Sequence, residues 1–152
     1  MDAGTAIADS RGVDLPQKLP STPERPRIRV VVADDSDSMR KSLCDFLGSL
    51  PPVEIAGVAA DGSDAADLCA KVRPDLALID FAMPHLNGLE AARALRLRCP
   101  GCRVVIVSNF APFLALSDPR PDVDAIIDKI DLPRELPAVI DRLFPGVLAA
   151  PK

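Results

Sequence analysis

Ile28-Arg29-Val30-Val31-Val32-Ala33-Asp34-Asp35 (IRVVVADD, residues 28–35) is the stretch on which the fold turns. A run of β-branched residues, long enough for one buried strand, stops on two adjacent carboxylates. Three later runs have the same form: LALI ends on Asp80, VVIV on Ser108 and AIID on Lys129. In an open parallel sheet, ligands bind in the crevice beyond the carboxyl ends of the strands. Polar residues at the strand ends therefore converge on one place.

Outward from these runs, short apolar segments alternate with helical patterns, the signature of α/β units around a parallel sheet. The expected strands are 28–33, 53–58, 76–80, 103–107 and 124–127. After the first, Met39, Leu43, Phe46, Leu47 and Leu50 share one face of a helix, which Pro51-Pro52 stops. A weaker helix over about 63–72 rests on Ala65, Leu68, Cys69 and Val72. Asn87 with Glu90 three residues later forms a capping box that opens a third helix, with Leu89, Ala92 and Leu95 on its apolar face. Only Ala111 to Ser117 can be helical before Pro119 and Pro121, with Pro112 tolerated in the first turn. Leu136, Val139, Ile140 and Leu143 define the last helix. Pro133 suits its start, but Pro137 lies further in and is expected to bend the helix or delay its beginning.

The chain of 152 residues, 48% of them apolar, has room for one ordinary domain with a real core. Its 18 basic and 22 acidic residues give a net charge of −4, with no basic stripe to track a phosphate backbone, so nucleic-acid binding is disfavoured. The first residues, MDAGTAIADSRG, lack the charge and apolar core of a signal peptide, and no apolar run approaches the length of a membrane span. A cytoplasmic protein is expected, with no membrane partner. Residues 1–26 hold Pro16, Pro20, Pro23 and Pro26 among small and charged residues and read as a disordered tail. Residues 27–145 read as the domain, and 146–152 as a short tail, leaving no room for an output domain.

Three carboxylates, a hydroxyl and an ammonium form a specific set. They offer an oxygen cage for a hard cation, a nucleophile and two groups able to hold an anion. Two carboxylates about 5 Å apart repel by roughly 3 kcal/mol at an effective dielectric of 20, so three together invite a divalent cation. The chemistry suggested is metal-dependent phosphoryl transfer to an aspartate.

The acidic pair Asp34-Asp35, Asp80 with Met83-Pro84 and Gly88 close behind, then Ser108 and Lys129, resemble the receiver domain of two-component response regulators over about residues 27–145. The resemblance implies a flavodoxin-like, doubly wound, five-stranded parallel sheet of order 2-1-3-4-5 with helices on both faces. It implies that Asp80 accepts a phosphoryl group from a phosphohistidine on a sensor histidine kinase or a histidine phosphotransfer protein. Asp35 and Asp80 would ligate Mg²⁺ directly, Asp34 through water, and the Ala82 backbone carbonyl would complete the protein ligands. Lys129 would hold phosphoryl oxygens, and Ser108 would swing toward them and bias a surface read by a downstream protein. Such a chain is a signalling phosphoacceptor and not an enzyme acting on a separate substrate.

Departures from that pattern cluster around the site. Asn109 stands where a small residue is common, and Ala82 and Phe110 stand where polar side chains often orient a hydrolytic water; a long-lived phospho-aspartate is expected. Ile126 replaces a frequent aromatic, and Ile130 follows Lys129 where proline is common. The usual dimerisation surface lies in the fourth and fifth helices, both interrupted here by proline, so a monomer or weak dimer is expected.

Other readings are weaker. Cys99-Pro100-Gly101-Cys102 has redox or zinc spacing but lies in a helix-to-strand turn, and neither Cys44, Cys69 nor His85 pairs with it at ligand spacing. Phosphatases of the haloacid-dehalogenase type want a second Asp two residues after the nucleophile, where this chain has Ala82. No G-x-G-x-x-G, Walker A or G-x-S-x-G sequence is present. The rival from another class is a receiver-shaped binding module that works by protein contact without phosphorylation.

Overall fold

A computed structural model describes residues 27–109 and 122–148. Among the described residues the strands and helices follow in order: β1 (Ile28–Ala33), α1 (Asp37–Gly48), β2 (Val53–Ala59), α2 (Gly62–Val72), β3 (Leu76–Asp80), α3 (Gly88–Arg98), β4 (Arg103–Ser108), β5 (Ala125–Asp128), a single 3-10 turn (Lys129–Asp131) and α4 (Leu132–Leu143). The expected disordered tail at 1–26 and the short helix at 111–117 lie outside the described residues.

All strand pairings are parallel and the sheet order is β2-β1-β3-β4-β5, the order expected. Alternate residues of each strand serve opposite faces. Val31, Ala33, Ala77, Ile79, Val104 and Ile106 pack with Ala65 and Cys69 of α2 and with Ala91, Ala92 and Leu95 of α3. Val30, Val32, Leu76, Leu78, Val105 and Val107 pack instead with Leu43 and Leu47 of α1 and with Leu132, Leu136 and Ile140 of α4. Each fully buried Leu or Ile side chain contributes about 2–3 kcal/mol. A sheet covered on both faces explains why its central strands read as unbroken apolar runs.

Local chemistry sets the helix ends. Ser36, extended at φ −93°, caps α1 by accepting from the Met39 amide at 3.3 Å. Helix α1 ends at Gly48, so Leu50 lies in the turn before Pro51 and not on the helix. Asn87 and Glu90 make the reciprocal capping box of α3, each contact at 2.9 Å. Helix α4 runs through Pro137 without a delayed start. The amide that Pro137 lacks would have bonded the carbonyl of Pro133, so the helix runs on with one internal bond fewer.

Strand β5 begins at Ala125, one residue later than expected, although the Asp124 amide already donates to Val104 O of β4 at 2.8 Å. The Asp124 carboxylate accepts from the Val104 amide at 2.8 Å and pairs with Arg96 and Arg103. Packing continues past residue 145: Phe144, Val147 and Leu148 are partly buried against the cluster that holds Ile28 and Val53. Since α4 starts beside the carboxyl end of β5 and runs back along the sheet, this last stretch lies at the opposite rim, where β1 begins.

Candidate functional site

Strand β1 is followed on one side by β2 and on the other by β3, so the chain reverses direction across the sheet between β1 and β3. That switch point is where a crevice opens. Asp34 and Asp35 follow β1, and Asp80 ends β3. The register brings the other endings alongside: Asp80 lies beside Val107, and Ser108 beside Asp128. Ser108 is the last residue of β4, one position further along the strand than expected, and is buried.

Oxygens of Asp34, Asp35 and Asp80 all lie within 4.8 Å of one another. Asp34 is fully buried and Asp80 is 5% exposed, whereas Asp35 is open to solvent. The Lys129 ammonium sits 3.2 Å from Asp80 Oδ1 and 3.6 Å from Asp34 Oδ2. One cation thus stands against three carboxylates. Burial pushes the Asp80 carboxyl above the usual carboxylate range, the Asp34 charge adds to the rise, and Lys129 opposes it.

Asp34 is held from three directions. Its amide donates to Ala59 O at 3.1 Å, its Oδ1 accepts from the Ser36 amide at 2.8 Å, and its carbonyl accepts from Arg40 Nη1 at 2.7 Å. Its Oδ2 is buried with no hydrogen-bond partner among the described residues. A buried carboxylate oxygen left this way, facing two more carboxylates, fits a hard divalent cation such as Mg²⁺. The oxygen donors that the geometry brings together are those three side chains.

The loop after β3 is braced from outside the site. Gly88 N donates to Phe81 O at 2.7 Å, and a Cβ at Gly88 would come within 2.8 Å of Phe81 Cα. A Cβ at Gly62, the first residue of α2, would come within 2.4 Å of Leu86 O. His85, in the left-handed region at φ 73°, places Nδ1 3.3 Å from Asp61 Oδ2, the cap of α2. The His85 side chain is 71% exposed.

The structure therefore brings together Asp34, Asp35, Asp80 and Lys129, with Ser108 on the adjoining strand. Sequence reasoning missed Arg40 and Ser36. Ser36 carried a local signal, a hydroxyl one residue before a helix, that Asp34 and Asp37 masked by having the same capping preference. Arg40 carried none beyond helical spacing.

The C-x-x-C segment is a turn in which Cys102 N donates to Cys99 O at 3.0 Å. None of the four cysteines is in a disulfide, and Cys69, Cys99 and Cys102 belong to the core. The Cys69 thiol and burial push Cys102 far up, and burial also raises Cys99, which makes these thiols poor nucleophiles and metal ligands.

A sequence profile of the response regulator receiver domain matches residues 30–138. The chain belongs to the response regulator receiver family. The receiver domain is a phosphoacceptor of two-component signalling. Relatives include protein-glutamate methylesterase/protein-glutamine glutaminases. That of Pyrococcus horikoshii is 45% identical over 74 residues, 49% of this chain and 20% of that protein. That of Thermotoga maritima is 40% identical over 82 residues, 54% and 24% respectively. Each match spans a quarter or less of the relative's length.

Among solved structures, the response regulator domain of Thermotoga maritima CheB superposes with a TM-score of 0.67 at 28% identity, over 82% of this receiver and 99% of that chain. The receiver domain of the putative response regulator NarL from Mycobacterium tuberculosis gives 0.66 at 27% identity, over 79% and 98%. No helix among the described residues of the receiver is long and apolar enough to cross a membrane.

Proposed function

We propose that Asp80 is the phosphoacceptor and that the chain acts as a single-domain response regulator, residues 27–145 carrying the activity. The donor is a phosphohistidine on a sensor histidine kinase or a histidine phosphotransfer protein, and the phosphorylated form signals to a downstream protein. The observation that supports this most is the setting of Asp80: a buried carboxylate with an ammonium at 3.2 Å and two further carboxylates within 4.8 Å.

An Asp80 oxygen attacks phosphorus as the phosphorus–nitrogen bond of the donor breaks. The electron pair of that bond stays on the imidazole nitrogen, which takes up a proton from solvent. Lys129 turns from the carboxylate to the incoming phosphoryl oxygens, an anion that its ammonium holds by charge and hydrogen bonding. Ser108 offers a hydroxyl from the next strand and transmits the new charge to the loop after β4. Asp34, Asp35, Asp80 and the Ala82 carbonyl would hold Mg²⁺, which when bound offsets the carboxylate charge and screens the phosphoryl group. Ala82 leaves no polar side chain two residues after Asp80 to orient a hydrolytic water, which supports a slow loss of phosphate.

This proposal does not extend the methylesterase activity in the relatives' names to this chain. Among the described residues the hydrogen-bond partner of its one histidine, His85, is Asp61. The protein is proposed to be cytoplasmic and monomeric or weakly dimeric, without nucleic-acid or membrane partners.

Incubation with Mg²⁺ and acetyl phosphate tests the assignment. The wild type gains the mass of one phosphoryl group and Asp80→Ala does not. If the wild type gains none, the phosphorylation-independent binding module is the better reading.

A further inference from the structure

Arg40 lies on α1, outside the acidic cluster, yet its side chain is only 20% exposed. Its Nη1 donates to the carbonyl of Asp34 at 2.7 Å, while Nη2 pairs with Asp37, which is 94% exposed. The carbonyl it grips belongs to the peptide unit whose amide is that of Asp35. On the other side of Asp35, the Ser36 amide donates to the Asp34 carboxylate at 2.8 Å. Both peptide groups flanking Asp35 are therefore tied down. Nothing among the described residues hydrogen-bonds to the Asp35 carboxylate itself. Its direction is imposed through the backbone, and one of the two ties is Arg40.

The guanidinium acts here in two ways. Its Nη1 fastens α1 to the turn that carries the acidic pair, whereas its contact with Asp37 stays within α1. Its charge also lies close to a site rich in carboxylates. These two effects act on a cation with opposite signs: holding Asp35 in place strengthens binding of a divalent ion, whereas a nearby positive charge weakens it.

We propose that Arg40 is a positioning residue that sets Asp35 for the metal by fixing the Asp34–Asp35 peptide. The inference rests on the reading of Asp34, Asp35 and Asp80 as the Mg²⁺ site. Loss of an outer partner of this kind lowers metal affinity about tenfold. The test is Mg²⁺ affinity by isothermal titration calorimetry on the full chain, in wild type, Arg40→Met, Arg40→Lys and Asp37→Asn. Arg40→Met keeps the aliphatic stem and removes the donor, and should bind Mg²⁺ about tenfold more weakly. Arg40→Lys restores a donor and should recover most of the affinity, while Asp37→Asn, which leaves the tie to Asp34, should stay close to wild type.

Tighter or unchanged binding in Arg40→Met overturns the proposal, because a purely electrostatic effect has that sign. A loss of affinity in Asp37→Asn equal to that in Arg40→Met would also overturn it. Melting curves in EDTA show whether each variant is folded, and Arg40→Lys keeps the question answerable if Arg40→Met is not. Failure of the wild type itself to bind Mg²⁺ would sink the metal site and not the role of Arg40 alone.

Discussion

Asp80 combines two demands that pull against each other. Burial and the Asp34 charge raise its carboxyl, which means that the folded protein holds the proton more readily than the unfolded chain does. The stabilisation that comes with the proton is complete below the unfolded value near pH 4 and is lost as pH rises through the folded value. At neutral pH the ionised carboxylate is thus a net cost to the fold. Asp80→Asn should raise the melting temperature by a few degrees at about pH 7 in EDTA, with the gain shrinking toward about pH 4. A lower melting temperature at neutral pH would show that the Lys129 pairing outweighs desolvation. The residue types of the site were legible because each stands where an apolar run ends, but the state of Asp80 was not. It depends on Asp34 and Lys129, 46 and 49 positions away in the chain and brought close only by the sheet.

Elements meet at contacts that local pattern does not announce. The loop after β3 leans on the first residue of α2, where a Cβ at Gly62 would meet Leu86 O at 2.4 Å, a backbone atom with little freedom to retreat. Gly62→Ala should cost about 1–3 kcal/mol, read from chemical denaturation. An unchanged midpoint would mean that the loop yields at no expense. Gly62 and Leu86 are far apart in the sequence, so nothing near either reveals the contact. The start of α3 was legible, by contrast, because Asn87 and Glu90 form a purely local motif. Pro137 is the intermediate case: the sequence shows the broken bond, while Leu136 and Ile140, buried on either side of it, carry the helix through. Pro137→Ala should stabilise the protein by up to ~3 kcal/mol, the cost of a proline inside a helix. A fall in stability would show that the proline fits a bend the helix requires.

At the scale of the whole molecule, the sheet separates the residues that hold the fold from those that would do chemistry. The strand interiors are apolar on both faces, and the three carboxylates gather at one end. A cation bound there acts on the global equilibrium by mass action. Mg²⁺ at a hundredfold its dissociation constant should stabilise by about 2.7 kcal/mol, a rise in melting temperature on the order of 8 °C that EDTA reverses and Asp80→Asn reduces. No rise in the wild type would leave the acidic cluster without a metal role. The opposite rim has a use of its own, because β1 starts there and Phe144, Val147 and Leu148 pack there as the described chain departs. Both ends of the described chain leave from the side away from the acidic crevice. A fluorophore, an affinity handle or a surface tether attached at Arg27, where the described chain begins, would hang from the back of the molecule. The mouth would stay open to a docking protein in an immobilised or single-molecule assay.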